Sequence, residues 1–191
     1  MELPAHPDLW PHVVGYMFAI VAPIWGIRGA SRQMRITVLL QQGVPPEHTS
    51  AKPHPFLPLL VGIVERFLYV AALMMGLVGP IGVWLGLKVA GGWKDWSQGQ
   101  THEWRSTAGA SVQTLVSGRN ILNLFLVSSA LSLIVSIVGA AITVWLNVGS
   151  YAWALKAGAA ALAFVYGLWG FFYLRNRALI NKYRASEARA A

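Results

Sequence analysis

Three charged side chains, Glu65, Arg66 and Lys88, interrupt an otherwise apolar stretch that runs from residue 56 to residue 92. A charged group in hydrocarbon costs about 3 kcal/mol or more, so such residues are usually paired, reach the interface or serve a function. Neighbouring residues on a helix point about 100° apart, so Glu65 and Arg66 cannot both face one partner along the same line. These are the first candidates for chemistry.

Two roles are open for Glu65 and Arg66. If the apolar stretch crosses a bilayer once, both residues lie near an interface and anchor the helix. If the stretch dips into the membrane and returns, they lie deeper and mark a path for a proton, ion or substrate. The partner is then Lys88, or a carbonyl oxygen exposed at a break near Gly79 and Pro80.

Catalytic, metal and cofactor sites are not indicated. The sequence contains no G-x-S-x-G, Walker-type loop, H-E-x-x-H or dinucleotide fingerprint, and it has no cysteine. Three groups have residue types suited to a divalent ion but lack a helical spacing such as two His at i and i+4. These groups are His6, Asp8 and His12; Glu47, His48 and His54; and Asp95, His102 and Glu103. We expect no catalytic residue, no metal and no cofactor.

The composition is that of a membrane protein. Of 191 residues, 55% are hydrophobic and 12% are charged, against roughly 25% charged in soluble domains. The predicted fold class is all-α, a polytopic transmembrane helical bundle of about four spans forming one domain over residues 1–191. The predicted spans are approximately 9–27, 60–92, 121–146 and 151–174, followed by a basic tail, 175–191.

The first predicted span is interrupted by Pro11 and Pro23, so a helix lying in the membrane interface is its alternative. Residues 1–10 carry no Lys or Arg and lack the basic region of a secretory signal peptide, so we expect the segment to be retained.

The distribution of positive charge predicts sidedness, because Lys and Arg near span ends are held in the cytoplasm. The net charge is +8, and the tail is rich in Arg and Lys, whereas the turn 147–150 has neither. The tail is therefore predicted inside and the turn outside, which makes the last two spans an antiparallel hairpin.

The first half of the chain leaves two arrangements open. A single crossing by 56–92 puts Arg28, Arg32 and Arg35 outside, against the charge rule. A stretch that breaks at Gly76, Gly79, Pro80 and Gly82, dips in and returns puts every basic segment inside and the N-terminus outside. Its two arms, however, would each be roughly 25 Å long with no residues left for the turn, short of the ~30 Å core. Charge favours the second arrangement, and length favours the first.

The two longest links differ in character. Residues 41–58 are rich in proline, which favours a loop. Residues 93–120 mix tryptophan with charged residues, which is typical of a segment lying on the membrane surface. No folded platform for base stacking is indicated, so nucleic acid is not an expected partner.

Small residues recur at helical spacing in two predicted spans. One stripe is Ser128, Ser132, Ser136 and Ala140, and the other is Gly82, Gly86 and Ala90. Such stripes let another helix backbone approach closely. They indicate packing within one subunit, or else self-association or a polar pore lined by the serines.

One part of the sequence resembles small bacterial inner-membrane proteins of uncharacterised activity. The pattern covers about a third of the chain and consists of Glu65, Arg66, Tyr69, Gly82, Trp84, Leu85, Lys88, Ala90 and Trp93, followed by Arg119 at the start of an apolar span. The resemblance implies a bacterial inner-membrane location with no activity attached.

Two classes of function remain. The favoured class is a non-enzymatic membrane protein in contact with the lipid bilayer, forming a homo-oligomer or joining a larger membrane complex as an accessory subunit. Such a protein could form or gate a path for an ion or small solute. The alternative is a small membrane-embedded enzyme acting on lipid at the interface, with Glu65, Arg66 and the surface-lying link 93–120 supplying acid, base and phosphate contacts.

Overall fold

The computed structural model describes residues 9–21, 23–49, 56–98, 100–105 and 111–190. Its elements are α1 (Leu9–Val21), α2 (Ile24–Gln41), a short 3-10 helix (Pro46–His48), α3 (Phe56–Met74), α4 (Gly79–Gln98), β1 (Gln100–Arg105), β2 (Ser111–Val116), α5 (Gly118–Asn147) and α6 (Tyr151–Ala190).

The described chain is mainly helical, and three stretches are long and apolar enough to cross a membrane. They are Leu9–Gln41, Gly118–Asn147 and Tyr151–Ser186. Large apolar side chains on their outer surfaces are exposed, for example Trp25 on α2 and Leu155 on α6. The prediction of a helical membrane protein is confirmed in this coarse form.

The first helical stretch extends well past the predicted end at residue 27. The chain is interrupted at Pro23, and α2 then continues to Gln41, so Arg28, Arg32 and Arg35 lie on a helix and not in a link. Between Ile24 and Gln41 no proline interrupts the backbone hydrogen bonds.

The apolar stretch 56–92 is broken into two helices, and the break includes Gly76, one of the four residues at which the dipping arrangement placed it. Gly76 has a φ of +71°, and the Leu77 N–H donates to the Ala72 carbonyl oxygen at 2.8 Å. This left-handed glycine ends α3 in a Schellman motif. Pro80 lies in the first turn of α4, where its missing N–H has no helical partner to lose.

The link from α4 to α5 contains regular secondary structure. α4 continues to Gln98, and β1 and β2 then form an antiparallel hairpin in which Gln100 pairs with Val116 and Arg105 with Ser111. This hairpin is the one departure from helix that the all-α prediction missed among the described elements. Residues 111–116 are few and do not alternate regularly between apolar and polar types, so they do not stand out as a strand beside long apolar helices.

Helix α5 is the centre of the bundle and contacts all five other α-helices, while α2 packs mainly along α6. The main core cluster includes Ile27 and Met34 of α2, Val70 of α3, Val135 of α5 and Val165 of α6. Because every helix packs on α5, its inward face must be lined by small or well-packed side chains.

Helices α1 and α5 approach each other closely at two glycines. A Cβ built on Gly139 would lie 2.8 Å from the Gly15 carbonyl oxygen and 2.8 Å from the Ala19 Cβ, and one on Gly15 would overlap the Thr143 hydroxyl. Only hydrogen fits at these two glycines. The pair holds the first apolar helix against the central one.

Candidate functional site

The α3–α4 hairpin brings Glu65 and Lys88 together. Glu65 is 3% exposed, and its Oε1 forms an ion pair with Lys88 Nζ, whose side chain is 22% exposed. The turn at Gly76 folds α4 back along α3, so residues at similar distances from the turn meet. Lys88 is one of the two partners that the dipping arrangement offered for Glu65 and Arg66.

Lys88 and Trp84 hold the Glu65 carboxylate from α4. Trp84 lies one helical turn before Lys88, and its Nε1–H donates to Glu65 Oε1 at 3.0 Å. The ammonium of Lys88 also donates to Ser129 Oγ of α5 at 3.4 Å and lies 4.9 Å from the centroid of the Phe125 ring. The ion pair is therefore a junction of α3, α4 and α5.

Two further polar side chains of α3 are buried beside Glu65. Arg66 is 3% exposed and Tyr69 is 1% exposed, and they are three residues apart, on neighbouring positions of one helix surface. The Arg66 guanidinium lies over Gly62, with Nη1 3.5 Å from the position of a built Cβ. We refer to Glu65, Arg66, Tyr69, Trp84 and Lys88 as the charged cluster.

The charged cluster carries one excess positive charge. Glu65 balances Lys88, and no carboxylate among the described residues forms an ion pair with Arg66. The Arg66 Nε and the Tyr69 hydroxyl are buried and have no hydrogen-bond partner in the described structure. Chemically, the cluster is suited to holding charge and donating hydrogen bonds.

A second polar contact joins α2 to α6 and was missed in the sequence. Thr37 Oγ1 donates to Asn176 Oδ1 at 2.7 Å, and Asn176 Nδ2 donates to the Gln33 carbonyl oxygen at 2.8 Å and to Gln33 Oε1 at 2.8 Å. Asn176 and Thr37 are both buried. The spacing of Gln33 and Thr37 at i and i+4 is the signal that could have pointed to this contact.

The two small-residue stripes lie in different surroundings. Ser132, Ser136 and Ala140 are buried inside the bundle, and Ser128 is half-buried with its hydroxyl 3.4 Å from that of Ser31. Gly82, Gly86 and Ala90 are exposed on α4. A Cβ on Gly82 or Gly86 would meet nothing within 4 Å, so this second stripe has no packing partner within the described chain.

The three groups of His, Asp and Glu with residue types suited to a divalent ion lie partly outside the described residues. His6, Asp8 and His54 are not among the residues that the structure describes. Within the described part, no three such side chains are grouped so that they could hold a metal ion. His12 lies on α1 and His48 ends the short 3-10 helix, and Asp95 lies on α4 with His102 and Glu103 on β1.

Comparison with known proteins gives no family or relative. No protein-family model, no curated protein and no solved structure matches the chain. The function is therefore inferred from the charged cluster, the exposed stripe of α4 and the charge distribution.

Proposed function

We propose that this chain is a multi-pass helical membrane protein, without catalytic activity, that forms or gates a path for a small ion or solute at the charged cluster. The observation that carries this proposal is the Glu65–Lys88 ion pair, held between three helices of a chain rich in exposed apolar surface. Charged residues inside membrane helices face bundle interiors or water-filled paths and mark function.

The dimensions of the α3–α4 hairpin support its insertion into the bilayer. α3 has 19 residues and α4 has 20, so the arms are about 28 and 30 Å long, close to the ~30 Å hydrocarbon core. The estimate that each arm of a returning hairpin is only roughly 25 Å long assumed that the second arm ends at residue 92. In the structure, α4 continues to Gln98. Glu65 and Lys88 lie near the middles of their helices, so the pair would be deep in the membrane.

The α2–α6 contact supports a particular sidedness. Because Gln33 and Thr37 bond to Asn176, the exposed Arg32 and Arg35 of α2 lie at the same end of the bundle as the basic part of α6. At the opposite end, the Trp10 ring stacks on Tyr151 at 6.3 Å. We infer that the basic end is cytoplasmic and the N-terminal end faces outward, with the bacterial inner membrane as the location.

The exposed stripe on α4 supports association with another membrane helix. Gly82, Gly86 and Ala90 leave a shallow surface, and Val83 and Leu87 beside them are exposed. A second copy of the chain or a larger membrane complex would be accommodated there. The alternative of a lipid-acting enzyme is less favoured, because one oxygen of the Glu65 carboxylate, Oε1, already pairs with Lys88 and accepts from Trp84.

Flux in liposomes tests the proposal. The purified full-length chain is reconstituted in vesicles of phosphatidylcholine and phosphatidylglycerol, and proton, potassium and acetate fluxes are measured. We expect a flux that Glu65→Gln and Lys88→Gln each change several-fold. The control variant Lys156→Gln, at an exposed position in the N-terminal part of α6, should leave the flux unchanged. Absence of flux for every ion would contradict the path.

A further inference from the structure

Two hydrogen-bond donors in the charged cluster lack acceptors. The Arg66 Nε and the Tyr69 hydroxyl are buried and unpaired in the described structure, and both side chains are almost entirely inaccessible. Guanidinium groups only donate hydrogen bonds and keep their charge, so Arg66 requires an acceptor. Buried polar groups in native proteins are almost always paired with protein, water or ligand.

Two acceptors on neighbouring helices are engaged by Lys88. Glu65 Oε1 accepts the Trp84 N–H and pairs with Lys88, and Ser129 Oγ accepts from Lys88. The charges of Glu65, Arg66 and Lys88 sum to one positive charge. A ligand that both neutralises this charge and accepts from the unpaired Arg66 and Tyr69 donors carries one negative charge.

We propose that Arg66 and Tyr69 bind a singly charged oxyanion with two free oxygens, a carboxylate or a phosphodiester. The guanidinium suits two parallel hydrogen bonds to such a group, and the Tyr69 hydroxyl, one turn along the same surface of α3, donates a third. Gly62 presents no side chain against the guanidinium. This inference rests on the proposed function in that it names the class of solute for the path.

Thermal unfolding in an uncharged detergent tests a soluble carboxylate as the ligand. Sodium acetate is titrated at constant ionic strength, which a bulky sulfonate maintains, and the unfolding midpoint is followed. A ligand that binds only the folded state raises the midpoint in a saturable way. We expect this rise in the parent protein and none in Arg66→Met.

Two conservative variants make the assignment specific. Tyr69→Phe removes one hydrogen bond to a charged group and should weaken acetate binding about tenfold. Arg66→Lys keeps the charge but loses the two-pronged donor and should bind more weakly than the parent protein. Tyr173→Phe and Arg177→Met, at exposed positions of α6, are matched controls that should leave the acetate response unchanged.

Native mass spectrometry distinguishes the second source of the oxyanion. If the ligand is a lipid phosphodiester, the parent protein retains a phospholipid through detergent exchange and Arg66→Met loses it. Either the acetate response or Arg66-dependent lipid retention supports the inference. It is overturned if the parent protein shows neither, or if Arg66→Met and Tyr69→Phe both respond like the parent.

These outcomes are separable from failure of the proposed path. Flux confined to cations, together with no acetate or lipid binding, would leave the path standing and remove the oxyanion site. Arg66-dependent binding without flux of any tested ion would support the oxyanion site and contradict the path.

Discussion

The side-chain amide of Asn176 on α6 donates hydrogen bonds to the backbone carbonyl oxygen and to the side-chain oxygen of Gln33 on α2, each at 2.8 Å. Residues that are far apart in sequence thus lie at one level of the bundle. The exposed arginines next to them, Arg32, Arg35, Arg175 and Arg177, gather at one end. This contact places the basic parts of α2 and α6 at the same end of the bundle.

The first prediction concerns the sidedness of the chain. The chain has no cysteine, so single cysteines report their own position. We expect Arg35→Cys and Ser117→Cys to react with a membrane-impermeant maleimide from the side of the tail, and Val148→Cys from the opposite side, since 148 follows α5. Inverted and right-side-out vesicles provide the measurement, with Ser186→Cys as the tail reference.

Labelling of Arg35→Cys and Val148→Cys from the same side would contradict this arrangement. That result would favour the arrangement in which residues 56–92 cross the membrane once. Labelling of Ser117→Cys on the side away from the tail would contradict the returning hairpin specifically.

The second prediction concerns Asn176. Asn176→Ala removes its bonds to Gln33 and Thr37 and leaves buried polar groups without partners, so we expect a loss of about 1–2 kcal/mol in unfolding free energy. Unfolding in mixed detergent micelles gives the value. The exposed neighbour Arg177→Ala should change stability little, and an equal loss in both variants would remove the special role of Asn176.

The third prediction concerns the Glu65–Lys88 pair. Glu65→Gln leaves the largely buried Lys88 ammonium without its counter-charge, so stability should fall by about 2–3 kcal/mol. The double variant Glu65→Gln with Lys88→Met should lose much less than the sum of the two single losses, because no uncompensated charge remains. Additive losses would show that the two residues do not interact.

The fourth prediction concerns the contact of α1 with α5. Gly139→Ala places a Cβ 2.8 Å from the Gly15 backbone oxygen, so the two helices must separate and stability should fall by about 2 kcal/mol. Gly167→Ala on α6, where a Cβ meets nothing within 4 Å, is the matched control and should be neutral or slightly stabilising. Equal stability of the two variants would contradict the close approach.

The fifth prediction separates the two small-residue stripes. Gly86→Leu alters an exposed surface and should reduce assembly while leaving the unfolding midpoint nearly unchanged. Ser132→Leu overfills the buried face of α5 and should lower the midpoint itself. Native mass in detergent gives the assembly state, and an unchanged mass for Gly86→Leu would remove association through α4.

Much of the architecture was accessible from the sequence because apolar length and charge placement act over whole helices. A break in residues 56–92 was predicted at Gly76, Gly79, Pro80 and Gly82, but the sequence did not show which glycine adopts the left-handed conformation. Gly76 does so, and Pro80 begins the next helix. Spacing alone does not distinguish a residue that ends one helix from a residue that begins another.

The charged cluster was only partly accessible. Glu65, Arg66 and Lys88 stood out by residue type, whereas the donors of Trp84 and Ser129 depend on how α4 packs against α3 and α5. Asn176 lies between two arginines, so the sequence alone predicts a solvent-exposed residue of the tail. Its burial follows from α2 extending to Gln41 beside α6, which no local pattern in the tail indicates.

The uninterrupted length of α6 has a mechanical consequence. Its 40 residues give a rod of about 60 Å, twice the hydrocarbon thickness, so about half of the helix must project into the aqueous phase. A partner that binds Lys182 or Arg184 is then held at a fixed height above the bilayer and at a fixed rotational position about the α6 axis. Inserting two residues after Arg177 would rotate Lys182 and Arg184 by about 200° about the helix axis and raise them by only about 3 Å.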